Sequence, residues 1–141
     1  MRLRFWQIFK IVKVSGNSMK PSFETGNYLL FRKVGKNTIV RGTIILYKYQ
    51  DKLLVKRVVG LANEYVEIEN NLLVINGEQL KEGYLASPRD SDRVTKWQVG
   101  DEEYLLLGDN PKDSLDSRTF NSVALDQDVY RFSTKLWPRR A

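Results

Sequence analysis

Ser18 lies in the short stretch VSGNSMKP (residues 14–21), whose composition suits a sharp turn that exposes a hydroxyl group. Gly16 allows a positive φ two residues before the serine, and Pro21 restricts the backbone after it. Such a turn can bring the Ser18 hydroxyl and the Ser18 backbone N–H to one place, as acyl transfer requires of a nucleophile beside an oxyanion donor. The same residue types are common in turns without chemistry. Whether Ser18 is a nucleophile therefore depends on a base elsewhere in the chain.

The composition restricts which base this could be. The 141 residues include no histidine and no cysteine, which removes the commonest general base, thiolate nucleophiles and disulfides. Lys56 is a candidate because it lies in the apolar stretch LLVKRVVG (residues 53–60). Strand alternation places Leu54, Lys56 and Val58 on one face, and burial of that face would lower the pKa of the lysine and make a neutral amine available. The alternative is that this face points to solvent, as for most strand lysines.

A third segment, GDNPKDSLDSR (residues 108–118), places five acidic or basic side chains and two serines after an apolar strand. It is either a solvated loop or a support for the lysine. Its acidic spacing does not match a calcium-binding EF-hand loop, and Arg118 would oppose a cation. We expect a buried ion pair between Asp116 and Arg118, with Ser114 hydrogen-bonded to the neutral lysine.

Short stretches rich in β-branched and aromatic residues predict a single all-β domain over residues 1–141, mainly antiparallel and with helix limited to a turn or two within 122–127. The predicted strands cover residues 27–34, 43–49, 53–59, 65–68, 72–75, 104–107 and 129–137. Asn76-Gly77 favours a type I′ hairpin turn. Residues 84–100 are interpreted as a polar excursion from the domain.

The net charge of +6 is spread over a mixed-charge surface. We expect no nucleic-acid partner, because the chain has neither a basic recognition helix nor an aromatic binding platform. Residues 1–13 form a basic, amphipathic lead segment in which Lys10 and Lys13 interrupt the apolar residues, so no transmembrane span is predicted. This segment is either a first strand or helix of the core, or a peripheral contact with a lipid interface.

Together, the three segments resemble the type I signal peptidase family of serine proteases. VSGNSMKPSF is similar to its nucleophile motif, TGNYLLFRKV and RGTIILYKY to the strands that follow, LLVKRVVGL to its lysine motif, and LLLGDNPKDSLDSRTFNSV to its last motif, in the same order. The resemblance implies a signal-peptidase-like fold of coiled sheets and a Ser/Lys dyad, with Ser18 as nucleophile and Lys56 as general base. It implies supporting roles for three further residues, Ser114, Asp116 and Arg118.

The resemblance also implies a substrate and a binding mode. The partner is a precursor protein whose extended leader is cleaved after small side chains, with Met19 and Gly16 beside the groove and the Ser18 N–H in the oxyanion hole. No metal or cofactor is implied. Where some members carry an oxyanion serine, this chain has Gly16, so the second donor is unknown and Ser15 is interpreted as scaffold. Asn121 stands where the family usually has a glycine, and asparagine tolerates positive φ.

Bacterial members usually carry an N-terminal membrane anchor, whereas Ser18 comes early in this chain. The chain is expected to be either a catalytic domain from the extracytoplasmic membrane face, or an anchorless, cytoplasmic or peripheral member similar to proteases that mature nickel-type superoxide dismutase. A self-cleaving repressor-type protease is disfavoured because no helix-turn-helix precedes residue 14. A catalytically inactive peptide- or membrane-binding module is the alternative from another class.

Overall fold

The structure is a computed structural model that describes residues 5–69, 72–80 and 95–138, with the backbone alone at residues 5 and 6. The strands of the described residues are β1 (Phe9–Lys13), β2 (Tyr28–Gly35), β3 (Ile44–Tyr49), β4 (Lys52–Gly60), β5 (Tyr65–Glu69), β6 (Leu72–Ile75), β7 (Glu78–Gln79), β8 (Lys96–Gln98), β9 (Glu103–Leu107), β10 (Val123–Ala124) and β11 (Asp128–Trp137). Two single-turn helices, α1 (Phe5–Ile8) and α2 (Ser117–Phe120), and a 3-10 turn at Lys36–Thr38 accompany them.

The strands form two antiparallel sheets, which confirms the predicted all-β fold. The larger sheet has seven strands in the order β1-β2-β11-β3-β4-β9-β10, and the smaller one has the order β7-β6-β5-β8. Many neighbours in the larger sheet are distant in sequence, because β11 inserts between β2 and β3. The positions of Ser18 and Lys56 therefore depend on pairing between strands that are far apart in the chain.

Apolar side chains cover both faces of the larger sheet. In β3, the consecutive residues Ile44, Ile45 and Leu46 are all buried, so a strand with alternating side chains has a core on each side. Ile44 and Leu46 pack in one cluster with Met19 from the nucleophile segment. Ile45 packs in the other cluster with Val58 of β4. The sheet is thus a rigid base between two cores.

The predicted hairpin at Asn76-Gly77 is present. Both residues have positive φ, at 50° and 84°, as a type I′ turn requires. The turn joins β6 to β7, with Ile75 paired to Glu78. The predicted strands also coincide with β2 to β6, β9 and β11, and the last segment forms one strand.

Two sequence predictions are wrong. The helical turn lies at Ser117–Phe120 and not within 122–127, because the Asp116 carboxylate caps the helix by accepting a hydrogen bond from the Arg118 N–H at 2.9 Å. Residues 84–100 are not wholly a polar excursion, since residues 96–98 form β8. Trp97 and Val99 alternate with polar residues and are both buried. The remainder of that interval, up to residue 94, lies outside the described residues.

The lead segment is partly a strand. Residues 9–13 form β1 at the edge of the larger sheet, paired with β2, while residues 1–4 lie outside the described part of the chain. Val12 packs against the core, whereas Ile11 is 54% exposed. Among the described residues, no helix has both the length and the apolar character needed to cross a membrane.

Candidate active site

Ser18 lies in the loop that joins β1 to β2, and backbone hydrogen bonds close this loop at its base. The Val14 N–H donates to the Asn27 carbonyl at 2.8 Å, and the Gly26 N–H donates to the Val14 carbonyl at 2.9 Å. Met19, directly after the serine, is 2% exposed and packs in the core, so it anchors the loop to the sheet. The Ser18 hydroxyl is thereby held at the surface end of a fixed turn.

Lys56 is buried in β4, which resolves the question of which face it occupies. The side chain is 2% exposed, and Val58 on the same face is fully buried, so the solvent-facing alternative is wrong. Burial lowers the pKa of Lys56 from its ordinary 10.5 to about 8, while the Asp116 carboxylate acts in the opposite direction. A substantial fraction of Lys56 is therefore a neutral amine, able to accept a proton, at mildly alkaline pH.

Ser18 and Lys56 line one small pocket of about 120 Å³. Its remaining lining is mainly apolar and comes from the end of β1, the nucleophile loop and the start of β4: Lys13, Val14, Ser15, Met19, Phe23, Leu53, Leu54 and Val55. The candidate nucleophile and the candidate base, 38 positions apart in the chain, thus share one space. Gly16, expected beside the groove, is not among the lining residues.

The expected support for the lysine is present as a buried chain of hydrogen bonds. The Lys56 Nζ lies 3.3 Å from the Ser114 Oγ, which in turn donates to the Asp116 Oδ2 at 2.5 Å. The Arg118 Nη1 pairs with the same carboxylate oxygen at 2.6 Å, with both side chains almost fully buried. The Gly108 N–H adds a further hydrogen bond to it at 2.8 Å. The Asp116 carboxylate is therefore saturated by donors, and it fixes Ser114 in place.

A second contact joins this polar segment to the nucleophile loop. The Asn110 N–H donates to the Ser18 carbonyl at 2.9 Å, and the Asn110 Nδ2 donates to the Asn17 carbonyl at 3.0 Å. The sequence pattern alone does not single out Asn110 as a site residue. The only sign of its role in the sequence is its place at the start of the polar segment, because the Asn17 carbonyl that it contacts lies 93 positions earlier in the chain.

Arg57, next to Lys56 but on the opposite face of β4, fixes the start of the polar segment. Its guanidinium forms two hydrogen bonds with the Asp109 carboxylate, at 2.9 Å and 2.8 Å. The Ser22 hydroxyl donates to the same carboxylate at 2.6 Å. Such a two-point pair between planar groups fixes orientation as well as distance. β4 thus holds the polar segment from both of its faces.

The Ser18 backbone has a donor available for an anionic ligand. Within the described residues, the Ser18 N–H makes no hydrogen bond, so it is free to donate toward the pocket. Gly16 adopts a positive φ of 94°, and its N–H donates to the Thr25 hydroxyl at 3.1 Å.

No cluster of three or more acidic side chains suited to a metal ion occurs in the described part of the chain.

Comparisons with known proteins agree with this geometry. The family model described as signal peptidase, peptidase S26, matches residues 3–137. The chain is 32% identical to signal peptidase I V of Bacillus subtilis (strain 168), over 87% of this chain and 92% of that protein. It is also 32% identical to signal peptidase I of Bacillus caldolyticus, over 93% of this chain and 81% of that protein.

A solved structure is similar as well. The crystal structure of a signal peptidase I from Enterococcus faecalis V583 superposes with a TM-score of 0.57 at 29% identity, covering 69% of this chain and 97% of that one. The match to the family model extends over nearly the whole chain and includes Ser18, Lys56 and the polar segment. The chain therefore belongs to the signal peptidase family, peptidase S26.

Proposed function

We propose that this protein is a serine endopeptidase that removes N-terminal leader peptides from precursor proteins with a dyad of Ser18 and Lys56. The relatives are signal peptidases by name, which supports a serine peptidase of this kind. The observation that carries the dyad is the position of Lys56. It is a buried amine with a pKa lowered to about 8, and it lines the same pocket as the Ser18 hydroxyl.

In the proposed mechanism, neutral Lys56 accepts the hydroxyl proton as the Ser18 Oγ attacks the scissile carbonyl carbon. The negative charge that develops on the carbonyl oxygen is stabilised by the Ser18 N–H. The Lys56 ammonium then protonates the leaving amine, the C–N bond breaks and an acyl-enzyme ester remains. Water attacks this ester with Lys56 again as base, which releases the leader and regenerates the Ser18 hydroxyl.

Ser114 and Asp116 keep the lysine productive in this scheme. The Asp116 carboxylate orients the Ser114 hydroxyl so that its proton points away from Lys56 and its lone pair toward the amine. Lys56 can therefore rotate little, and its own lone pair remains available for the Ser18 proton. Arg118 balances the charge of the carboxylate at 2.6 Å, which prevents Asp116 from acting as a lone buried anion beside the ammonium.

The edge of β4 supports an extended substrate. Residues 52–57 pair with β3 on one side, while β9 begins to pair with the other side at Arg57. Within the described residues, the stretch before Arg57 therefore has an open edge, to which an extended peptide can add as a further strand. The pocket beside it is small, and Met19 and Phe23 contribute apolar walls. Small side chains near the cleaved bond fit such a pocket, whereas larger ones would clash.

We also propose a peripheral membrane contact through the lead strand. Ile11 is 54% exposed, and Trp137 is 61% exposed beside Tyr28, with ring centroids 6.3 Å apart. The Lys13 ammonium lies over the Tyr28 ring. Exposed aliphatic and aromatic side chains next to a cation suit the interface of an anionic bilayer. Flotation with anionic vesicles, but not with neutral ones, is expected and should fall when Ile11 and Trp137 are both changed to serine.

The dyad is tested by mapping new N-termini with mass spectrometry after incubation with leader-bearing precursors, among them a nickel-type superoxide dismutase precursor. Wild type is expected to release one defined N-terminus, while Ser18→Ala and Lys56→Met release none. Lys48→Met is the matched control because Lys48 is an exposed lysine on the neighbouring strand β3, and it should cleave like wild type. Equal cleavage by wild type and Lys56→Met would refute the dyad. A Ser18→Ala protein that keeps its biological role would favour the inactive binding module.

A further inference from the structure

We infer that the Ser15 hydroxyl is the second oxyanion donor of this enzyme. The inference rests on the proposed function, in which the Ser18 N–H is the first donor. A tetrahedral intermediate in a serine protease is commonly stabilised by two hydrogen bonds to its oxyanion. Besides Ser18, the polar residues that line the pocket are Lys13, Ser15 and Lys56. Lys56 is the proposed base, and the Lys13 ammonium lies over the Tyr28 ring.

The Gly16 backbone is not available for this role. Its N–H donates to the Thr25 Oγ1 at 3.1 Å, and the same hydroxyl donates back to the Gly16 carbonyl at 2.9 Å. Thr25 therefore occupies both polar groups of Gly16 and holds it away from the pocket, whose lining does not include Gly16. Glycine also has no side chain to contribute, so a donor at this position would have to come from the occupied N–H.

Ser15, one residue before Gly16, does border the pocket. It lines the pocket together with Ser18 and Lys56. It lies between Val14, whose N–H and carbonyl are both tied to the base of the loop, and Gly16, whose backbone is tied to Thr25. The backbone of Ser15 is thus fixed from both sides by hydrogen bonds of its neighbours, which gives its short side chain a defined origin.

The Ser15 hydroxyl is also free to donate. It is exposed and makes no hydrogen bond to any other described residue. A hydroxyl carries one proton that rotates to suit its acceptor, so it can turn toward the oxyanion when charge develops there. It transfers no proton in the reaction, and it only donates a hydrogen bond that is stronger in the transition state than in the ground state.

The experiment compares Ser15→Ala with Ser15→Thr, which keeps a hydroxyl, and with Ser133→Ala, which removes an exposed serine from β11. Loss of one oxyanion donor typically lowers kcat by about 10²-fold. We therefore expect Ser15→Ala to lose about 10²-fold in kcat per folded enzyme, with KM changed less than about threefold and the pH dependence unchanged. Ser15→Thr should recover at least about tenfold over Ser15→Ala, and Ser133→Ala should match wild type.

The controls separate the two proposals. If Ser15→Ala keeps a kcat within about threefold of wild type while Ser18→Ala is inactive, the oxyanion assignment is overturned and the proposed function stands. Failure of Ser15→Thr to exceed Ser15→Ala also overturns the assignment, since the hydroxyl is then not what matters. If wild type and Ser18→Ala cleave equally, the proposed function itself fails. Thermal unfolding of each variant ensures that rates are compared for folded protein.

Discussion

Replacing Asp116 by asparagine removes one negative charge from the centre of the buried network and keeps the shape of the side chain. The carboxylate is fully buried and accepts hydrogen bonds from the Arg118 guanidinium at 2.6 Å, from the Ser114 hydroxyl at 2.5 Å and from the Gly108 N–H at 2.8 Å. An amide has one oxygen and would turn its NH₂ group toward some of these donors. The variant therefore takes from the buried Arg118 guanidinium the carboxylate that lies 2.6 Å from it.

Breaking a buried ion pair by removing one partner costs about 3–5 kcal/mol of folding free energy. For a chain of 141 residues, the entropy of unfolding near Tm is about 0.3 kcal/mol/K, so this cost lowers Tm by about 10–17 °C. Differential scanning calorimetry at pH 7 measures the change. Asp113→Asn is the matched control, because Asp113 is exposed in the same segment and should leave Tm nearly unchanged. A decrease for Asp116→Asn no larger than that of Asp113→Asn would refute the buried pair.

The same substitution should also shift the pH dependence of kcat/KM, in a direction that the charges around Lys56 determine. The Asp116 carboxylate raises the pKa of Lys56, and the Arg118 guanidinium lowers it. Removing this carboxylate takes away the largest effect that raises the pKa of Lys56, and the guanidinium is then opposed only by the smaller effects of Asp109 and Asp113, so the pKa falls below about 8. The rising limb of kcat/KM against pH should therefore move to lower pH in Asp116→Asn, even though the rate per enzyme is reduced. A limb that moves to higher pH would contradict this assignment of charges.

Two further substitutions test the packing around the site. An added methyl group in Gly108→Ala would lie 2.7 Å from the Ser18 carbonyl oxygen and overlap Ser114, so kcat should fall at least about tenfold; an unchanged kcat would contradict the close approach. Asn121 has φ 69° and ψ −175°, a region that is essentially restricted to glycine. Asn121→Gly should therefore stabilise the fold by about 1 kcal/mol and raise Tm by about 3 °C, and a lower Tm by calorimetry would argue against backbone strain there.

The strands were predictable because their signals are local. The β-branched and aromatic runs at residues 43–49 and 72–75 and the Asn76-Gly77 turn each depend on a few adjacent residues. The short strand at Lys96–Gln98 was missed because its apolar residues, Trp97 and Val99, stand at the end of a long polar stretch. The alternation is only three or four residues long there, which is too short to outweigh the surrounding composition.

The sequence pattern points to residues that the structure brings close together, but it does not predict their contacts. Alternation in β4 allows the Lys56 face to be either core or solvent, and the decision comes from packing against residues distant in the chain. Asn110 reaches the Asn17 carbonyl across 93 positions, and Thr25 reaches Gly16 across 9. No local pattern encodes these hydrogen bonds. Ser15 was accordingly interpreted as scaffold, because the occupied Gly16 N–H and the pocket lining become visible only in three dimensions.

The proposed mechanism depends most directly on the ionisation of Lys56. NMR can follow this ionisation through the side-chain resonances of Lys56 as pH is varied, with Lys56→Met assigning the signal. The pKa is predicted to be about 8, and the rising limb of kcat/KM should have the same midpoint because the free enzyme must lose this proton before Ser18 can attack. A Lys56 that titrates near its ordinary 10.5, in an enzyme whose kcat/KM is already maximal at pH 7, would contradict a lysine general base.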